Sequence, residues 1–156
     1  MAFYMKKIFN MKIILPAAAL IVVTFLIIMS WPLSFLDVIS DDVELQIAFS
    51  QPAINVESYI YDIQPGTEKF IQIRHILSQY SYHRTLRTFL VWDTSINNDA
   101  IGAGYTCNIY VLGRIGNYIS SVGTGEILVN GRIYRIGFWG NRKAIKMIDE
   151  LRSVII

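Results

Sequence analysis

The feature that most constrains this chain is a run of 24 residues without a charge, IILPAAALIVVTFLIIMSWPLSFL, at positions 13–36. As an α-helix, a run of this length extends about 36 Å at 1.5 Å per residue. The hydrocarbon core of a bilayer is about 30 Å thick. Pro16 in the first turn and Trp31 near the far end suit such a segment, since helix starts tolerate proline and lipid–water interfaces favour tryptophan. The run predicts one transmembrane helix.

Charges of opposite sign flank this run. The lysines that precede it are Lys6, Lys7 and Lys12, and the acidic residues that follow it are Asp37, Asp41, Asp42 and Glu44. Lysines beside a span stay on the cytoplasmic side of a membrane. We therefore predict a cytoplasmic N-terminus at 1–12, a signal-anchor span at 13–36, a linker at 37–42 and an extracytoplasmic domain at 43–156. The anchoring residues are then the three lysines and Trp31.

A cleaved secretion signal is the alternative to an anchor, and its product would be secreted. A signal needs a short apolar stretch followed by a small-x-small cleavage site. The three alanines at 17–19 come too early for such a site, and residues 38–40 match it weakly. We favour the uncleaved anchor because the run is longer than the apolar region of a signal. Met5 is an alternative start, since MKKIFNMKIILPAAAL is typical of an export start.

The rest of the chain predicts one α+β domain with a mainly antiparallel sheet and two packed helices, in the order β-β-α-β-β-β-β-β-α. Alternating apolar residues predict the strands, and apolar residues at helical spacing predict the helices. The strands fall at 41–49, 56–62, 85–93, 105–112, 117–122, 126–129 and 132–138, and the helices at 67–80 and after Asn141. Thr67 and Asn141 are the predicted N-caps, and residues 94–104 form a polar loop.

Seven of the ten glycines lie between Gly113 and Gly140, which raises the question of a nucleotide site. A dinucleotide fingerprint needs a strand, then G-x-G-x-x-G, then a helix whose N-terminus meets the phosphates. Here the glycine pairs lead into strands, and no Walker motif occurs. Asn130-Gly131 between alternating apolar runs is instead a strong hairpin signal. The glycines therefore indicate turns of a four-strand meander, and we predict no cofactor.

Catalytic and metal-binding residues receive little support from the sequence. Cys107 with His75 or His83 is one candidate nucleophile and base, and it would make the chain an envelope hydrolase. The alternative is a small buried cysteine on a strand, which we favour because no known pattern links the cysteine to either histidine. The acidic residues after the run lack the spacing of a calcium loop. We predict no catalytic residue and no metal site.

A basic and aromatic surface is the candidate binding site. Its members are Arg114, Arg132, Arg135, Tyr134 and Trp139. Such a surface can hold an anionic wall polymer, lipid headgroups or a protein. Arg132 and Arg135 have opposite parity, so they do not share a face of a regular strand. Ordinary outer-face chemistry of a half-exposed sheet is the competing interpretation.

The organisation of the chain resembles that of small exported or membrane-anchored envelope domains of Gram-positive bacteria. The pieces that carry the resemblance are TEKFIQIRHILSQY, EILVNGRIYRIGF and NRKAIKMIDELRSVI, within residues 43–156. The resemblance implies an envelope-facing domain without an assigned activity.

These patterns favour a non-enzymatic binding module that a single helix tethers to the membrane. Its partners would be the bilayer and a protein or cell-wall component. Nucleic acid is excluded as a partner, because three of the fourteen basic residues precede the run and the remainder carries eleven basic against twelve acidic residues; nucleic-acid binders are strongly basic. An accessory or immunity-type subunit that acts through its transmembrane helix is the alternative function.

Overall fold

A computed structural model describes residues 2–50, 59–89, 106–113, 118–121, 125–137 and 140–156, with side chains from Ile14 onward and not at Ser121. The chain separates into two compact units, Met1–Trp31 and Pro32–Ile156. Each unit is described on its own below.

The first unit is a single helix, α1 (Ala2–Ser30). It begins earlier than the predicted span and ends before Leu36. Pro16 therefore lies inside the helix and not in its first turn, so its missing N–H leaves one backbone hydrogen bond unmade. The described side chains of α1 begin at Ile14, and among the residues described in this way no helix is both long enough and apolar enough to cross a membrane.

The second unit is an α+β domain. Its strands are β1 (Leu33–Ser34), β2 (Leu45–Ser50), β3 (Tyr59–Ile63), β4 (Ser81–Arg84), β5 (Thr106–Val111), β6 (Tyr118–Ser121), β7 (Glu126–Val129) and β8 (Arg132–Ile136). Its helices are α2 (Glu68–Ser78) and α3 (Arg142–Ile155). Two short 3-10 helices, Phe35–Asp37 and Leu86–Phe89, complete the described elements.

The described strands form one antiparallel sheet in the order β1-β4-β8-β7-β6-β5-β2-β3. The strands β2 and β3 pair directly with each other, and the predicted meander of β5 to β8 is confirmed. The β7–β8 turn has positive φ at both Asn130 (49°) and Gly131 (77°). This is the backbone of a type I′ turn, whose twist matches that of the strands it joins.

The predicted strand at 85–93 is wrong in its described part. The strand β4 lies earlier, and Leu86–Phe89 forms a 3-10 helix; positions 90–93 lie outside the described residues. Leu86 and Phe89 are 67% and 48% exposed. They suggested a strand by their apolar character, yet neither contributes to the main core.

Residues 33–39 belong to the domain, although the sequence divided them between the span and the linker. Phe35 and Ile39 are fully buried and Val38 is 5% exposed. The Phe35 ring packs on Tyr82 of β4, with ring centroids 4.8 Å apart. The last residues of the 24-residue run therefore belong to the core of the domain. Their apolar character alone did not distinguish them from the residues of the helix.

Both helices of the domain bury one apolar stripe in the same core cluster. The stripe of α2 is Phe70, Ile73, Ile76 and Leu77, and that of α3 is Ala144, Met147, Ile148, Leu151 and Ile155. The predicted Thr67 cap is confirmed, because its hydroxyl accepts from the Phe70 N–H at 3.3 Å. Asn141 precedes α3, but its side chain makes no capping hydrogen bond.

Candidate functional site

The side of the sheet that faces away from the helical core is the candidate site. Register alone assigns each strand residue to a side, since opposed residues of antiparallel strands point the same way. Ile47, Ile109 and Ile119 lie opposite one another and are buried in the core. The alternate residues of these strands form what we call the open face. Its members are Gln46, Ala48, Ser50, Ile60, Asp62, Thr106, Asn108, Tyr110, Tyr118 and Ser120.

Short polar side chains on the open face bond across neighbouring strands. The Gln46 amide donates to Asp62 at 2.9 Å from β2 to β3. The Ser120 hydroxyl donates to the Asn108 side-chain oxygen at 2.5 Å from β6 to β5. Such cross-strand pairs fix the side chains without covering them. The face therefore presents oriented amide, carboxylate and hydroxyl groups.

An aromatic pair lies at one end of the open face. Tyr110 and Tyr118 are opposed in the β5–β6 register, with stacked rings whose centroids are 6.4 Å apart. Tyr110 is 42% exposed. Tyrosine offers a large rigid surface with a polar tip and few rotatable bonds, so it contacts partners at low entropic cost. Tyrosine beside serine and asparagine is also the chemistry of antibody binding surfaces.

The opposite end of the same side of the sheet is covered. The 3-10 helix Leu86–Phe89 lies there, since Thr88 donates its hydroxyl hydrogen to the Ile133 carbonyl of β8. Arg87 donates from one guanidinium nitrogen to both carboxylate oxygens of Glu126, at 2.9 and 2.7 Å. Ile133 is fully buried beneath this cover. Only the β6 to β3 half of the described sheet is thus available as a flat surface.

The structure does not bring the three described members of the predicted basic and aromatic surface onto one side of the sheet. Arg132 lies opposite Val129 and Tyr134 opposite Ile127, on the core side, whereas Arg135 lies opposite Glu126 on the outward side. Tyr134 packs edge-on against Tyr82 at 5.0 Å. The Arg135 guanidinium donates to the Gly140 carbonyl at 3.2 Å. Arg114 and Trp139 lie outside the described residues, as does the predicted loop at 94–104.

Cys107 has the properties of a core residue. It is 1% exposed, and burial raises the pKa of its thiol to about 12. A nucleophilic cysteine needs a thiolate near neutral pH. Cys107 lies opposite core residue Phe49, whereas His83 lies opposite Arg135 on the other side of the sheet. His75 is exposed on α2. These placements count against a cysteine–histidine pair.

Metal-binding groups do not cluster in the residues that the structure covers: no three His, Cys, Asp or Glu side chains there could hold one ion. Of the acidic residues after the helix, Asp41 forms an ion pair with Arg74. That carboxylate has a role within the fold, next to the Arg74 hydrogen bond to the Ile39 carbonyl at 2.9 Å.

No protein-family model, no curated protein and no solved structure matches this chain. The resemblance to Gram-positive envelope domains stays a prediction.

Sequence reasoning missed the open face as a defined set of residues. The sequence did predict that Cys107 is a buried residue of a strand, which the structure confirms. The contact of Tyr110 with Tyr118 depends on a two-strand register that residues 112–117, between the strands, do not specify. The Asn-Gly signal fixed the next hairpin, and no equivalent signal exists here.

Proposed function

We propose that this protein is a non-enzymatic binding module of the cell envelope, tethered to the membrane by α1 and displaying the open face to a protein or cell-wall partner outside the cytoplasm. The observation that carries the proposal is the exposure of α1. Leu20, Ile21, Val22 and Val23 are 67%, 69%, 56% and 51% exposed. Four consecutive residues point to all sides of a helix. A helix that is apolar all round needs apolar surroundings, such as lipid.

The polar groups of α1 support the same surroundings. Between Ile14 and Ser30 the polar side chains are Thr24 and Ser30. Thr24 donates to the Leu20 carbonyl at 2.8 Å, and Ser30 donates to the Ile27 carbonyl at 3.2 Å. Hydroxyls that bond back to their own helix can enter hydrocarbon without an unsatisfied donor.

The flanking charges support one orientation. Lys6, Lys7 and Lys12 precede the apolar residues, and Asp37, Asp41 and Asp42 follow them. Asp37, Asp41 and Asp42 are exposed. A cytoplasmic N-terminus and an outside domain obey the positive-inside rule. Trp31, 62% exposed at the end of the apolar stretch, suits the interface on the outer side.

The topology is tested with membrane-impermeant maleimide on intact cells. The buried Cys107 gives little background labelling. We expect a cysteine introduced at exposed position 72 (Gln72→Cys) to label in whole cells. A cysteine at position 7 (Lys7→Cys) should label only after lysis. Equal protection of both positions in intact cells would rule out the tether. A labelled product in the medium that lacks α1 would show that the protein is secreted.

The binding surface is tested by photo-crosslinking in intact cells. We expect a photoreactive amino acid in place of Tyr110, on the open face, to join a defined protein or wall fragment. The matched control replaces His75, which is exposed on α2. The same adducts from both positions, or none from position 110, would count against the open face as the binding surface.

Exchanging α1 distinguishes the accessory-subunit alternative from the binding module. Its exposed apolar residues are also a surface that another transmembrane helix could contact. Replacing residues 13–32 with an unrelated span should preserve the position-110 crosslinks if the domain binds the partner. Their loss, with the protein still in the membrane, would mean that the helix itself makes the contact.

A further inference from the structure

A cleft on the helical side of the domain is lined by residues that each carry a hydrogen-bond donor in the side chain. It has a volume of about 270 Å³ and lies where the end of α2 and the start of β4 meet the first turns of α3. Its lining residues are Gln79, Tyr80, Ser81, Lys143 and Lys146. The two ammonium groups, the amide and the hydroxyl hydrogens are all groups that anions accept from.

Glu150 lies beside the cleft and is already engaged by two of these residues. Glu150 accepts from the Tyr80 hydroxyl at 2.7 Å through one oxygen and pairs with Lys146 at 3.4 Å through the other. Within the described residues, Lys143 forms no ion pair. The cleft therefore keeps a net positive charge that the fold does not neutralise.

The stem of Lys143 lies beside Gly137. A Cβ on Gly137 would lie 3.2 Å from Cδ of Lys143, so the lysine stem occupies the space that a side chain at 137 would fill. The backbone before α3 is also closely held, since a Cβ on Gly125 would lie 2.9 Å from the Gly140 carbonyl oxygen.

The charge pattern of α3 fits a bound anion better than an empty cleft. Its first turns carry Arg142, Lys143 and Lys146, with no acidic residue in the first turn and no side-chain cap. Positive charge at a helix N-terminus opposes the helix dipole. An anion in the cleft offsets both the dipole and the lysines. Departures from local rules such as this one concentrate at functional sites.

We propose that this cleft binds a phosphate ester group through Lys143, Lys146, Gln79 and Ser81. Its size admits a phosphate with a small alcohol, and a tetrahedral anion can accept from several donors at once. The group can come from a soluble phosphate or from the diester of a lipid headgroup or wall polymer. The proposal holds whether or not α1 enters a membrane.

The test uses the full-length chain in maltoside micelles, which contain no phosphate. Its melting temperature is titrated with inorganic phosphate and, separately, with glycerophosphoglycerol, against sodium chloride of equal ionic strength. We expect stabilisation beyond chloride. Response to phosphate alone would identify a soluble source, and response to the diester would identify a headgroup or polymer. No response to either overturns the proposal.

Variants locate the binding. Lys143→Gln should weaken the dissociation constant about tenfold or more, the scale of a charge-assisted hydrogen bond. Lys143→Arg should restore much of the affinity. The matched control is Arg142→Gln, which removes a neighbouring charge that does not line the cleft and should change affinity less than about threefold, since exposed charges are screened. Equal weakening by both glutamine variants would mean diffuse charge attraction and would also overturn the proposal.

Discussion

The helices α2 and α3 are alike along their length and different where they begin. Each buries one apolar stripe in the same core. Thr67 caps α2 with its hydroxyl, and Glu68 places a negative charge in the first turn. The residue before α3, Asn141, makes no side-chain cap, and Arg142 and Lys143 follow it. The stripes therefore explain why both segments are helical, whereas only α2 is stabilised at its start.

This difference teaches that burial and capping are separate contributions. A helix with a sufficient apolar stripe forms in spite of an unfavourable start, because tertiary packing supplies most helix stability in proteins. The start of such a helix is then available for another role, and the phosphate cleft is our proposal for that role. The predictions below concern unfolding of the full-length chain by urea in maltoside micelles.

The largest expected effect tests the similarity of the stripes. Leu77 of α2 and Leu151 of α3 are both fully buried. Leu77→Ala and Leu151→Ala should each lower the free energy of unfolding by about 2–5 kcal/mol, because each leaves a cavity in the core. A matched exposed substitution is Ile71→Ala, since Ile71 is 61% exposed, and it should cost far less. If Leu151→Ala lowered the free energy of unfolding as little as Ile71→Ala, the stripes of α2 and α3 would not be equivalent.

A smaller effect tests the difference between the helix starts. Thr67→Ala removes the hydroxyl that accepts from the Phe70 N–H and should cost about 0.5–2 kcal/mol. Asn141→Ala removes no capping bond and should change the free energy of unfolding by less than about 0.5 kcal/mol. Urea midpoints of the two variants give the comparison directly. Equal losses would mean that Asn141 caps α3 after all.

The smallest effect concerns Tyr80, which links the end of α2 to Glu150 of α3. Burial, together with the hydrogen bond to Glu150 and its charge, raises the pKa of Tyr80 above 10.0. The folded state then keeps a proton that the unfolded state loses, so this stabilisation is complete below pH 10 and declines as pH rises further. Tyr80→Phe should cost about 0.5–1.5 kcal/mol at pH 7.

The pH dependence gives this prediction its control. Tyr80→Phe should lose less stability between pH 9 and 11 than the parent. Alkaline loss remains in both proteins, because burial also raises the pKa of Cys107 and of Tyr82 to about 12. If the free energy of unfolding changed equally with pH in Tyr80→Phe and in the parent, the predicted role of the Tyr80–Glu150 contact would be wrong.

Local signals were sufficient for much of the domain. The Asn130-Gly131 turn, the stripe of α3 and the alternation in β2 are each set by neighbours in sequence, and the structure confirms them. The sequence did not predict the strand β4, because Tyr82 and His83 are both buried, one on each side of the sheet. No alternation of apolar and polar residues therefore marks this strand. The sequence assigned Phe35 to the transmembrane span and not to the core of the domain, because the apolar run continues into the core without a change in composition.

Neither candidate site was predictable from spacing alone. The Tyr110–Tyr118 contact depends on strand register, and the cleft joins Ser81 to Lys143, which are far apart in sequence. Arg132 and Arg135 illustrate the reverse case. Their opposite parity already separated them, and the register places them on opposite sides of the sheet.

The position of β3 at the end of the sheet has a practical consequence. Among the described strands its single neighbour is β2, so its other edge carries backbone groups that a further strand can pair with. Tyr59 and Ile60 on this strand are 49% and 59% exposed. When purified molecules are concentrated, this edge can pair with a strand of a second molecule, so storage at low protein concentration favours the monodisperse form.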